Sequence, residues 1–71
     1  MCKIRFGKIL KYLRTEKALT QKHLAELLHV TDRSIRDWEN EGIEPNYEII
    51  ARLTKIFDVT AGQLLGTEEL I

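Results

Sequence analysis

The chain is expected to fold as an all-α protein, a compact bundle of five short helices, and three features of its sequence lead there. Apolar residues recur at helical spacing, as a full i, i+3, i+4 and i+7 stripe over Phe6, Ile9, Leu10 and Leu13 and as shorter runs of it in later segments. Thr20, Thr31, Asn46 and Thr60 each stand just before such a segment, where a short polar side chain caps the first turn. Gly42, Pro45 and Gly66 fall between or after the segments, where they punctuate rather than interrupt. With 71 residues the chain is read as one domain, 1–71, with a core over 6–66 and a short tail over 67–71. A domain this small buries only about 60% of the surface its unfolded chain exposes, so nearly every inward position must be used.

Phe6, Ile9, Leu10 and Leu13 form the apolar stripe of a first helix expected from about Arg5 to Lys17. Arg14 lies on the margin of that stripe, and an arginine turned inward needs an anionic partner. Thr20 caps a second helix whose inward edge is Leu24, Ala25 and Leu28. Gln21 and Lys22 then occupy its first turn, where free N–H groups and the helix dipole attract anions such as phosphate. His29 and Val30 form a tight break, in which position 29 is expected to take a positive φ that glycine would accept more readily; the same holds for Ala18 after the first helix.

Thr31 caps a third helix that Ile35 and Trp38 anchor from one side. Arg33 and Asp37 point away from them, with Asp32 and Arg36 on the flank, so this helix presents charged side chains outward. Asp32 with Arg36 and Arg33 with Asp37 are also i, i+4 pairs, so two solvated salt bridges account for the same four residues without any ligand. Pro45 and Asn46 introduce a fourth helix from about Tyr47 to Phe57, with Tyr47, Ile50, Leu53, Thr54 and Phe57 inward and Ile49 and Ile56 off that face. Thr60 and Gln63 make a capping box for a short fifth helix carrying Leu64 and Leu65, which Gly66 ends. The tail closes on apolar Leu70 and Ile71.

The formal net charge is zero, which by itself argues against a nucleic-acid binder. Its distribution argues differently. Residues 1–22 hold seven basic side chains against Glu16 alone, and the remaining residues hold four basic against ten acidic, so six positive charges at one end balance six negative at the other. A lysine-rich solvated helix has the same composition, and charge alone does not choose between them. With 44% hydrophobic residues, no apolar run near the length of a membrane span and no signal-peptide pattern after Met1, the expected location is the cytoplasm. Cys2 has no second cysteine to pair with in the chain. Neither a phosphate-binding glycine loop nor a nucleophile elbow occurs, and His23, His29 and one cysteine do not make a metal site, so no enzyme activity, cofactor, metal or small-molecule ligand is expected.

Taken together, Phe6-Gly7, Leu10, Leu13-Arg14, Leu19-Thr20-Gln21, Leu24-Ala25, Val30-Thr31, Ser34-Ile35, Trp38-Glu39-Asn40, Pro45 and Val59, Gln63-Leu64-Leu65-Gly66 resemble the Cro/C1-type (XRE-like) helix-turn-helix family of phage and bacterial repressors, over residues 6–66. The resemblance implies a lambda-repressor-like bundle in which helices two and three form the helix-turn-helix, the third entering the major groove of double-stranded DNA. It implies base readout by Asp32, Arg33, Arg36 and Asp37, and phosphate contacts from Thr20, Gln21, Lys22, Ser34 and Asn40. It also implies an interior ion pair between Arg14 and Glu39. Two departures bear on affinity: Ala18 and His29 replace glycines, and Glu41-Gly42-Ile43 stands where the family often has a basic loop, with Glu39, Glu44 and Glu48 close to the same edge. The expectation is a transcriptional regulator of bacterial or phage origin, of the repressor type. It would bind as a homodimer through Ile49, Ile56, Leu70 and Ile71, with half-sites about 34 Å apart; ordinary exposed apolar surface accounts equally well for the two helix isoleucines. The competing expectation is a protein-interaction module on the same fold, of the antitoxin or anti-repressor kind.

Overall fold

A computed structural model describes residues 2–67, with side chains from Phe6 onward. The order is α1 (Cys2–Glu16), α2 (Gln21–Leu28), α3 (Asp32–Glu41), α4 (Tyr47–Phe57) and α5 (Ala61–Leu65), and no described residue lies in a strand. No helix is long and apolar enough to cross a membrane. The first helix begins three residues earlier than its apolar stripe suggests, because Cys2, Lys3 and Ile4 contain no residue that would break it.

Four of the five helices begin on the residues the capping pattern singles out. The side chains of Thr20, Thr31, Asn46 and Thr60 accept from the backbone N–H of His23, Ser34, Ile49 and Gln63, and Gln63 returns the bond to Thr60 N–H. Each cap satisfies a donor that the helix itself leaves orphaned. At the other ends, His29, Gly42, Asp58 and Gly66 are left-handed.

α1 lies against α3, α3 packs on α2, and α5 closes the far side against α1 and α4. Phe6, Leu10, Leu24, Ala25, Leu28, Ile35, Trp38, Ile50, Leu53, Phe57 and Leu64 form one core. Seven of its side chains are essentially sealed from water, each contributing roughly 1.5–3 kcal/mol of transfer free energy. Tyr47 does not join them, contrary to the inward face expected for α4; it is 84% exposed. It is the first residue of the helix, so its side chain projects beyond the layer that Ile50 closes one turn later. Ile49 and Ile56 are half-buried against the core, which makes the apolar face of α4 wider than its spacing indicates.

Candidate nucleic-acid interface

α3 is held from behind. Ile35, Trp38 and Glu39 are buried, while Asp32, Arg33, Arg36 and Asn40 are exposed and Ser34 and Asp37 half-exposed. Arg33, Arg36, Asp37 and Asn40 fall at i, i+3, i+4 and i+7, so they line one stripe of the helix. The i, i+4 salt bridges expected on this face do not form: among the described residues, the ion pairs are Arg14 with Glu39 and Arg52 with Glu48. Arg33 and Arg36 are thus exposed and without an ion-pair partner among the described residues.

The turn before α3 is set by His29, whose φ of 59° lets its N–H and that of Val30 close back on the last turn of α2. Thr31 Oγ1 then accepts from Ser34 N–H at 3.2 Å and shares a hydrogen bond with Ser34 Oγ at 3.1 Å, which ties Ser34 to the cap. At the start of α2, Thr20 caps the helix, Lys22 is exposed and Gln21 is half-buried.

The interior ion pair joins these parts. Arg14 Nε donates to Glu39 Oε2 at 2.7 Å and Arg14 Nη2 to Glu39 Oε1 at 3.2 Å, while Arg14 Nη1 donates to the carbonyl of Leu19 at 2.8 Å. Gln21 Nε2 also donates to Glu39 Oε1, at 3.1 Å. The end of α1, the start of α2 and the last turn of α3 thus meet on one carboxylate. Removing either charge alone would strand the other at a cost of about 3–5 kcal/mol. The Gln21 and Leu19 contacts have no signature in residue spacing, since they join segments that only the tertiary fold brings together.

The acidic edge beyond α3 is weaker than its composition suggests. Glu39 is spent on Arg14 and Glu48 is paired with Arg52 at 3.2 Å, so Glu41 and Glu44 are the carboxylates there without an ion-pair partner among the described residues. Lys8 and Lys11 are exposed on α1, Lys17 in the turn after it and Lys22 at the start of α2. No group of metal-ligating side chains occurs among the described residues. Leu70 and Ile71, two of the expected dimer contacts, lie outside the described residues.

Residues 10–64 match the family described as helix-turn-helix. The chain is 46% identical over 66 residues to the HTH-type transcriptional activator BcrR of Enterococcus faecalis, covering 93% of this chain and 32% of that protein. It is 30% identical over 64 residues to the HTH-type transcriptional regulator ImmR of Bacillus subtilis, covering 90% of this chain and 50% of the relative. It is also 33% identical over 63 residues to YqaE of the same organism, an uncharacterized HTH-type transcriptional regulator, of which it spans 54%. The chain thus spans from about a third to about half the length of these relatives. No solved structure matches it significantly.

Proposed function

The chain belongs to the Cro/C1-type helix-turn-helix family, and from that membership we propose that it is the DNA-reading head of a transcriptional regulator, with α3 in the major groove and the start of α2 on the phosphate backbone. The observation that carries the reading is the outer stripe of α3. Two arginines stand there exposed and without ion-pair partners among the described residues, on a helix anchored from behind by Ile35, Trp38 and Glu39.

Arg33 and Arg36 pair with guanine through bidentate hydrogen bonds to O6 and N7, worth about 1–3 kcal/mol of discrimination each. Asp32 and Asp37 orient the arginines as DNA arrives, since a carboxylate facing phosphates needs a donor beside it. Thr20, Gln21, Lys22, Ser34 and Asn40 hold the backbone and set the register. The head acts as a homodimer on half-sites one helical turn apart, and it represses where its operator overlaps a promoter.

A selection from a random duplex pool at two salt concentrations tests this. The expected result is one enriched motif, bound more weakly at high salt with a slope of about 0.9 in log K for each phosphate neutralised. No enriched motif together with no salt slope would refute it. The exposed Ile43 and Tyr47 beside Glu41 and Glu44 favour the second reading, a protein partner on the same fold. That outcome leaves the pool unenriched.

A further inference from the structure

We infer that Glu39, beyond closing the interior ion pair, is a positioning residue for Gln21 at the DNA backbone; the inference rests on the phosphate contact proposed for Gln21. A carboxylate only accepts hydrogen bonds, so Glu39 Oε1 takes the nitrogen end of the Gln21 carboxamide, at 3.1 Å. That decides which way the amide faces. One N–H is held inward, and the second N–H remains for an outside acceptor. Phosphate oxygens also only accept, so this second N–H is the group they need. Without the carboxylate the amide turns freely about its last torsion and presents its carbonyl oxygen to phosphate as often as its nitrogen.

Glu39 is itself immobile. Its side chain is 1% exposed, and Arg14 holds both of its oxygens while anchored to the Leu19 carbonyl. The Gln21 side chain is therefore ordered before DNA arrives, and the cost of ordering it is not charged to binding. The ion pair acts on DNA affinity from inside the protein, without touching DNA.

Two double variants separate this role from a purely structural one, because both abolish the ion pair. Arg14→Met with Glu39→Met removes the acceptor; Arg14→Met with Glu39→Gln keeps a carbonyl oxygen in its place. Affinity for a duplex enriched from the random pool is read by fluorescence anisotropy, with the folded fraction checked by circular dichroism. The acceptor-free variant is expected to bind about tenfold more weakly than the native chain, because the freed Gln21 amide must then be both turned and ordered at the expense of binding. Adding Gln21→Ala to it should cost nothing more, and the carbonyl-bearing variant should stay within about twofold of native. Equal affinities for the two double variants, or a full tenfold further loss on adding Gln21→Ala, would overturn the inference. If Gln21→Ala alone leaves the native affinity unchanged, the phosphate contact itself is wrong and the inference falls with it. Should neither double variant fold, nitrogen-15 NMR of the native chain decides. One Gln21 side-chain amide proton should exchange slowly, both free and on DNA; equally fast exchange of the two rejects the coupling.

Discussion

Ala18 and His29 hold backbone angles that suit neither of them, φ 56° and φ 59°. A side chain with a Cβ loses about 1–2 kcal/mol in that region, and glycine returns part of this gain through its looser unfolded state. Ala18→Gly and His29→Gly are each expected to stabilise the chain by about 0.5–1 kcal/mol, raising Tm by a few degrees in a thermal melt. Both positions are readable in the sequence because each follows a helix at the point where a turn must reverse. Asp58 has the same conformation, φ 56°, and escapes notice because aspartate tolerates it well and leaves no anomaly to see. On the DNA side, residues of different chemistry should fail differently. Lys22→Ala should reduce the salt slope of binding by about 0.9, since one phosphate is no longer neutralised. Arg33→Ala should leave more of that slope in place for cognate DNA while relaxing the preference at one base pair, with a loss of about 1–3 kcal/mol on the cognate sequence. A uniform loss over all sequences from Arg33→Ala would remove it from the base-reading set.

Among the helices, the caps and most inward positions were legible because they are local, Tyr47 on α4 being the exception. Thr20, Thr31, Asn46 and Thr60 act within a turn of themselves, and the spacing of Leu24, Ala25 and Leu28 is enough to bury them. The approach of α1 to α3 was not legible, although Gly7 stood in the resemblance. A Cβ built at Gly7 would lie 2.3 Å from the carbonyl oxygen of Glu39 and 2.7 Å from that of Trp38. Both neighbours are backbone, so neither can rotate aside. Gly7→Ala must push α1 away from the last turn of α3, and it is expected to cost about 3 kcal/mol, the upper end of the range for overpacking. A urea titration should show the midpoint falling with little change in slope. A loss below about 1 kcal/mol would mean that the two helices separate more easily than this contact allows.

The described residues measure 27 × 23 × 22 Å, less than the roughly 34 Å that separates half-sites one helical turn apart. Two heads placed side by side on DNA would therefore meet through side chains along a narrow front. Ile49 and Ile56, expected at that front, are already half-covered by their own core and have little apolar surface left to offer. Association should accordingly be weak in solution and evident on DNA. The chain should sediment as a monomer at about 10 µM and bind cooperatively to paired half-sites, and inserting about 5 bp, half a turn, should abolish the cooperativity. Unchanged affinity after the insertion would argue against the homodimer. The separation of positive and negative halves was readable from the sequence, but the strength of the acidic half was not. That depended on Glu39 and Glu48 finding arginines, one across the fold and one along its helix.

The close contact at Gly7 also bears on which partner yields when the head meets an imperfect site. If α3 reads the groove as proposed, its last turn is seated backbone against backbone on α1 and has little room to move toward it. Any misfit between protein and groove must then be absorbed by the duplex, through local bending and twisting whose ease varies from one base step to the next. Operators for this head should therefore differ in affinity at base pairs that no side chain touches, with flexible pyrimidine–purine steps favoured wherever the helix axis must turn toward the protein.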